Sequence, residues 1–116
     1  MRTLIKHLSG SEEGRRDYFK AERIVLGRDD DCDVSFDKQR DLEVSGRHSE
    51  IVANGEGGFE IVDLGSTNGT WVNGEEITRS PLKSGDEIEL GPGGPRLLFE
   101  LPRGFWARIV ARLFGR

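Results

Sequence analysis

Residues 63–74 read Asp-Leu-Gly-Ser-Thr-Asn-Gly-Thr-Trp-Val-Asn-Gly, a stretch that combines strand and turn signals. Thr70 to Val72 is a short alternation of the kind that a half-buried strand shows. Asn-Gly pairs stand on both sides of it, at residues 68–69 and 73–74. An Asn-Gly pair is a strong local signal of a tight turn. The stretch therefore predicts very short strands separated by tight turns.

The same alternation recurs along most of the chain. Strand-like segments lie at residues 3–8, 17–20, 23–26, 34–36, 50–53, 59–62, 87–90 and 97–101. Turn signals separate these segments, and no helical pattern stands between them. Many short strands at such spacing are typical of antiparallel sheets packed as a sandwich. We therefore expect an all-β protein with two sheets.

Composition limits the function classes. The 116 residues suit a single domain, and 34% hydrophobic with 33% charged residues is typical of a globular protein. Residues 103–116 hold four Arg and no acid, so residues 1–102 carry 13 basic and 21 acidic side chains, a net charge of -8. Because nucleic-acid affinity rests on clustered Lys and Arg, an acidic body of this kind disfavours nucleic acid as a partner.

The sequence changes character after Pro102. Apolar side chains fall on about half of a helical wheel and Arg side chains lie opposite, a pattern carried by Phe105, Trp106, Ile109, Val110, Leu113 and Phe114 against Arg108, Arg112 and Arg116. We predict a β-sandwich domain over residues 1–102 and a short basic amphipathic C-terminal helix or tail over residues 103–116. Such a short helix is marginal alone in water, so it needs a surface. Its own domain, a second copy of the chain and an anionic membrane are the three candidates.

Cellular location is predicted from what the sequence lacks. Cys32 is the single cysteine, so no internal disulfide forms, and the N-terminus shows no secretory signal. No apolar stretch approaches the roughly 20 residues that span a bilayer. These features predict a cytoplasmic protein.

Four motifs follow one another in a fixed order. They are Ile-Val-Leu-Gly-Arg-Asp at 24–29, Val-Ser-Gly-Arg-His-Ser-Glu-Ile at 44–51, the stretch at 63–74, and Leu-Lys-Ser-Gly-Asp-Glu-Ile-Glu-Leu-Gly at 82–91. Together they resemble the forkhead-associated (FHA) domain from about Thr3 to Leu101. The resemblance implies a sandwich of about eleven strands whose loops at one end bind phosphothreonine peptides. It also implies a non-catalytic adaptor whose partner is a threonine-phosphorylated protein, such as a Ser/Thr protein kinase or its substrate.

Phosphothreonine needs several converging hydrogen-bond donors, because it carries roughly -1.5 to -2 charges and three acceptor oxygens. Arg28 is the expected phosphate clamp, since its planar guanidinium can meet two oxygens at once. The alternative is an Arg28 side chain paired with Asp29 or Asp30. The hydroxyl of Ser45 and the backbone N–H of Gly46 are the expected second and third donors.

The remaining site residues follow from the resemblance. Gly46 departs from the usual family pattern, in which a long polar residue follows the Ser, and Arg47 is expected either to reach the phosphate in its place or to be solvated. Asn68 matches the position that holds the peptide main chain, and Thr67 is expected to line the place of the threonine methyl. Structural support of the loops is assigned to Gly27, His48 and Gly69.

Other chemistry is not expected. No nucleophile and base are suitably spaced, so neither catalytic residues nor a cofactor is predicted. The acidic run at residues 29–33 resembles the start of a calcium loop, but Val34 replaces the required Gly and Arg40 stands where the Glu belongs, so no metal site is predicted. The acids beside Arg28 predict a preference for basic residues near the phosphothreonine. The alternative function is a degenerate FHA scaffold that binds a protein partner or a membrane without phosphate.

Overall fold

The computed structural model describes residues 2–102, and this part of the chain contains eleven β-strands. Their bounds are β1 Thr3–His7, β2 Arg16–Phe19, β3 Arg23–Gly27, β4 Val34–Ser35, β5 Ser49–Ala53, β6 Phe59–Asp63, β7 Thr70–Val72, β8 Glu75–Ile77, β9 Arg79–Leu82, β10 Glu87–Leu90 and β11 Arg96–Glu100. They form a six-stranded sheet in the order β2-β1-β11-β10-β7-β8 and a five-stranded sheet in the order β4-β3-β5-β6-β9. The prediction of an all-β, two-sheet fold of about eleven strands is confirmed.

One strand pair departs from the predicted antiparallel arrangement. β4 lies parallel to β3, with Leu26 opposite Val34 and Gly27 opposite Ser35. The pair is only two residues long, and the chain reaches it by looping out over residues 28–33 at the edge of the sheet. This loop carries Arg28 away from β3.

The core lies between the two sheets, where every second residue of the central strands points inward. Phe99 meets Phe59 edge to face across this layer, with ring centroids 5.7 Å apart. The apolar side chains with no exposed surface are Ile5, Ile24, Leu26, Val34, Val44, Ile51, Ile61, Ile88, Leu90, Leu97 and Phe99. Each contributes about 1.5–3 kcal/mol by burial. The core therefore gives the loops a rigid support.

β8 and β9 were not predicted. β8 carries two exposed Glu side chains, and β9 contains Pro81, which cannot donate a ladder hydrogen bond. Each is one of the two edge strands of its sheet, a place that tolerates both features. The Asn73-Gly74 turn that joins β7 to β8 has φ angles of 50° and 84°, as a type I′ hairpin requires. That turn prediction is confirmed.

The loops after β3, β4 and β6 lie together at one end of the sandwich. The β10–β11 loop is at the same end, since the Gly91 N–H donates to the Gly69 carbonyl at 3.0 Å. Within residues 2–102, no helix has the length and apolar composition needed to cross a membrane. The helix predicted at residues 103–116 and its docking lie outside the described residues, and the boundary at residue 102 stays a prediction.

Candidate functional site

Three loops distant in sequence are joined at Ser45. The Arg28 N–H donates to the Ser45 carbonyl at 3.0 Å, and the Asp29 N–H donates to the Gly46 carbonyl at 2.9 Å. The Thr67 N–H donates to Ser45 Oγ at 3.0 Å. Because that hydroxyl accepts from Thr67, its own O–H remains able to donate elsewhere. Ser45 is therefore the point at which the β3–β4, β4–β5 and β6–β7 loops become one surface.

Gly27 allows this close approach. A Cβ atom at Gly27 would lie 2.1 Å from the Gly46 carbonyl oxygen and 3.0 Å from the Arg47 Cα. No side chain fits against backbone at such distances, so only glycine permits the two loops to meet here. Gly27, predicted from the resemblance to support the loops, lies at this contact.

Arg28 is held by backbone carbonyls. Its Nε donates to the Val44 carbonyl at 2.5 Å and its Nη1 to the Lys38 carbonyl at 2.8 Å. These bonds use two of the five N–H groups of a guanidinium, and the side chain is only half-buried. Within residues 2–102, Arg28 forms no ion pair with Asp29 or Asp30, so the alternative interpretation of its role finds no counterpart in the described contacts. These bonds hold the guanidinium in place beside Ser45, and its other N–H groups remain available to a ligand.

Arg47 is turned toward the acidic loop at residues 29–31. Its Nη1 donates to Asp31 Oδ2 at 3.1 Å, and both side chains are exposed. An exposed ion pair of this kind contributes about 0–1 kcal/mol. The structure therefore does not bring Arg47 into the group around Ser45, although its partner holds it only weakly.

Gly46 lies against the carboxylate of Asp29. A Cβ atom at Gly46 would be 2.6 Å from Asp29 Oδ1. The first atoms of the long polar side chain that the family pattern has at this position would occupy the space that the Asp29 carboxylate fills. This contact gives the departure at Gly46 a local physical reason.

Asn68 and Thr67 are exposed at the rim of the same surface. Asn68 Nδ2 donates to the Glu43 carbonyl at 3.1 Å, which fixes the orientation of the amide. One N–H and the carbonyl oxygen of the amide remain, and this pair matches the acceptor and donor of an extended peptide main chain. The loop that includes Glu43 therefore positions Asn68.

The side chain of His48 connects the loop that contains Ser45 with the loop that contains Gly69. It is completely buried, its Nδ1 accepts from the Ser45 N–H at 3.0 Å, and its Nε2 lies 2.7 Å from the Gly69 carbonyl. These partners require the neutral tautomer with the proton on Nε2. Burial lowers the pKa of His48 below its ordinary value, which outweighs the opposing effects of the Gly69 carbonyl and Asp63. His48 is thus a structural brace for Ser45.

Gly69, the second partner of that brace, has a φ of 88°, a conformation that side chains rarely adopt. A Cβ atom there would also meet Glu76 Oε2 at 2.6 Å and the Trp71 ring at 2.9 Å. Glycine at position 69 is therefore required by both conformation and space.

Asp63 is a site residue that sequence reasoning missed. Its carboxylate accepts from the N–H groups of Gly65 at 3.0 Å and Ser66 at 3.1 Å, and from the hydroxyls of Ser66 at 2.6 Å and Thr70 at 2.7 Å. Partial burial works to raise the pKa of Asp63, but these hydrogen bonds outweigh it and hold the pKa below its ordinary value. The available signal was the Asp two residues before Gly65, because Asp side chains organise turns by accepting from the backbone N–H two residues on.

The similarity to known proteins agrees with this geometry. A model of the FHA domain matches residues 24–91, which is more than half of the chain and includes the three loops. The chain belongs to the FHA domain family. A solved structure described as a structural and functional analysis of phosphothreonine-dependent FHA domain interactions has a TM-score of 0.74 and 29% identity, and the match covers 88% of this chain and 98% of that one.

Two curated bacterial proteins are similar to this chain over about 80 residues. The oxoglutarate dehydrogenase inhibitor of Corynebacterium jeikeium is 43% identical over 82 residues, which are 71% of this chain and 54% of the relative. The glycogen accumulation regulator GarA of Mycobacterium tuberculosis is 44% identical over 83 residues, which are 71% of this chain and 48% of GarA. The chain thus spans about half the length of the curated relatives it matches.

The brace at His48 makes the stability of this FHA domain depend on pH. The folded pKa lies below the ordinary value of 6.5, so the unfolded chain binds the proton first as the pH falls. This contribution is complete above pH 6.5 and is lost as the pH falls through the folded pKa. We expect the titration of His48 to decrease the free energy of unfolding below pH 6.5, by at most about 1.4 kcal/mol per pH unit for this one group, as measured by urea denaturation.

The variant His48→Gln isolates this effect. Glutamine retains one acceptor and one donor but does not titrate, so the dependence on pH between neutrality and mild acid should become flatter even where total stability is lower. An unchanged slope in His48→Gln would show that other groups cause it. Asp63 does not interfere in this range, because its pKa lies below the ordinary carboxylate value.

Proposed function

We propose that this chain is a non-catalytic, phosphothreonine-dependent peptide-binding module that acts as an adaptor in Ser/Thr kinase signalling. The observation that carries the proposal is the junction at Ser45, where three loops bring the remaining donors of Arg28, Ser45 and Asn68 to one surface. Membership of the FHA family supports it, and so does the 29% identical structure whose description concerns phosphothreonine-dependent interactions.

Each residue has a distinct role in this proposal. Arg28 makes two charge-assisted hydrogen bonds to the phosphate, and the Ser45 hydroxyl and Gly46 N–H bind further oxygens. Asn68 pairs with the main chain of an extended peptide, and Thr67 contacts the threonine methyl. Because Arg28 and Asn68 are already held by backbone carbonyls, little side-chain entropy is lost on binding. Arg47 joins the phosphate only after leaving Asp31.

The acidic loop beside the phosphate site selects the flanking residues of the ligand. Asp29 lies against Gly46, Asp30 pairs with Lys38 at 2.9 Å, and Asp31 pairs with Arg47 at 3.1 Å. Acidic residues close to the phosphothreonine would meet these carboxylates, and basic residues would be attracted by them. Flanking charge therefore changes affinity, and phosphate remains the main requirement.

The partner in this proposal is a threonine-phosphorylated protein, either a Ser/Thr protein kinase or its substrate. The names of the two curated relatives, an inhibitor and a regulator, support a regulatory role rather than catalysis. We also propose that residues 1–102 form the domain and residues 103–116 a separate tail. A cytoplasmic site of action is consistent with Cys32, a free and buried thiol.

Calorimetric titration with phosphothreonine peptides tests the function. The peptides form a library with Lys or with Asp beside the phosphothreonine, and each has an unphosphorylated and a phosphoserine counterpart. We expect unphosphorylated peptides to bind at least about 100-fold more weakly, because several charge-assisted hydrogen bonds are lost. Phosphoserine peptides should bind about fourfold more weakly, the effect of one buried methyl. The Lys series should bind more tightly than the Asp series.

The outcomes separate the proposals. Equal binding with and without phosphate would refute the reader function and favour a scaffold that works without phosphate. Phosphate-dependent binding that is equal in the Lys and Asp series would refute only the role of the acidic loop.

A further inference from the structure

A shallow apolar groove lies at the end of the sandwich opposite the candidate site. It has a volume of about 210 Å³, and its lining includes Leu4, Tyr18, Glu100, Leu101 and Pro102. β11 starts at the site end, where the β10–β11 loop contacts Gly69, so its last residues reach the other end. We name this feature the Tyr18 groove. Any ligand there is remote from Ser45.

The groove continues onto the outer face of the six-stranded sheet. Leu4 pairs with Tyr18 on one side and with Glu100 on the other, and these residues alternate with the buried Ile5 and Phe99. Tyr18 is 56% exposed, one of the most exposed large apolar side chains among residues 2–102. An aromatic side chain that is exposed beside an aliphatic neighbour gains by being covered.

The chain itself leads into this groove. Pro102 is the last described residue and is part of the lining, so residue 103 starts at the groove. The following 14 residues carry Trp106, Ile109, Val110 and Leu113 at the spacing of an apolar helical stripe. A helix of that length would extend about 21 Å, enough to cross about four strands. A segment tethered at the groove docks with little loss of loop entropy.

Charge also favours residues 103–116 as the segment that docks at the Tyr18 groove. The four Arg of residues 103–116 have no acid among them, whereas the outer face of the same sheet carries Glu87 and Glu89 of β10 and Glu76 of β8. The body of the chain has a net charge of -8. An anionic membrane would attract the Arg side chains but repel the acidic body of the chain. Docking on the sheet instead brings the Arg side chains close to acidic groups without this repulsion.

We propose that residues 103–116 dock as an amphipathic helix in the Tyr18 groove, with the apolar stripe on Leu4 and Tyr18. The long Arg side chains, on the other side of the helix, extend around it toward the Glu residues on the outer face of β10 and β8. The docked tail covers the end of the domain opposite Ser45. It therefore leaves phosphopeptide binding open, and the groove is not an autoinhibitory site.

Hydrogen exchange of the full chain, followed by mass spectrometry, tests this proposal. In buffer, the amides of residues 105–114 should exchange about tenfold or more slowly than in Tyr18→Glu, which places a charge in the groove. Tyr18→Phe should keep the protection. Leu42→Glu is the matched control, because Leu42 is 64% exposed but lies in the loop between β4 and β5 at the other end. Thermal unfolding of each variant establishes that it is folded.

Three results would overturn the proposal. Protection that arises only with vesicles containing phosphatidylglycerol would assign the tail to a membrane. Protection that disappears on dilution of the wild-type chain would assign it to a second copy. Equal exchange in wild type and Tyr18→Glu would remove the groove as the docking site. Phosphopeptide affinity, measured alongside, should be the same in wild type and Tyr18→Glu, and a failure of all peptide binding would refute the proposed function without affecting the groove.

Discussion

Replacing Arg28 by alanine is expected to abolish measurable phosphothreonine binding while the domain stays folded. The guanidinium is the one cation whose position beside Ser45 is fixed by two backbone carbonyls among residues 2–102. Removing one member of a hydrogen-bonded charge pair costs about 2–5 kcal/mol, so affinity should fall by at least about thirtyfold. Calorimetric titration of wild type and Arg28→Ala with the same phosphopeptide measures this loss.

Two variants make the Arg28 result specific. Arg79→Ala removes an Arg that pairs with Glu60 between β9 and β6, away from Ser45, and should bind normally. Arg28→Lys keeps the charge but loses the planar fork, so its affinity should lie between those of wild type and Arg28→Ala. The assignment of Arg28 as the phosphate clamp would be wrong if Arg28→Ala and Arg79→Ala bound the phosphopeptide equally well.

The second large effect is expected from Asp63→Ala, which should lower both stability and peptide affinity. Four donors lose their acceptor, including two N–H groups of the β6–β7 loop that carries Thr67 and Asn68. Hydrogen bonds to a charged group contribute about 1.5–3 kcal/mol each and are not additive, so we expect a loss of about 3 kcal/mol in the free energy of unfolding. Urea denaturation monitored by Trp fluorescence measures it.

Asp86 supplies the matched control for Asp63. Its carboxylate also accepts hydrogen bonds, from the Lys83 N–H at 2.8 Å and Asn73 Nδ2 at 2.9 Å, but these bonds are exposed and lie at the other end of the sandwich. Asp86→Ala should cost about 1 kcal/mol and leave peptide affinity unchanged. Equal losses in the two variants would contradict a special role of Asp63 in the site.

The sequence predicted the features that depend on local patterns. The alternation of apolar and polar residues identifies most strands, because each strand has one face toward the single core. The Asn73-Gly74 pair identifies the turn after β7. β8 and β9 were not predicted because edge strands need no apolar alternation. The parallel pairing of β4 with β3 depends on the path of the loop at residues 28–33, which has no local sequence signal. The contacts of Arg28 with the carbonyls of Val44 and Lys38 also have no signal in sequence, since any residue supplies a carbonyl. The four-fold acceptor role of Asp63 likewise emerges only when the loop is folded.

The junction at Ser45 has a consequence for how a natural ligand can be found. Arg28, Ser45 and Asn68 come from separate loops, so the unfolded chain offers a phosphopeptide no comparable set of donors. A ligand of this surface therefore binds only the native state and must raise the unfolding temperature, by an amount that grows with the logarithm of the ratio of its concentration to its Kd. The melting temperature of the domain thus serves as a label-free reporter, and phosphorylated candidates can be ranked against one another by the heat resistance they confer.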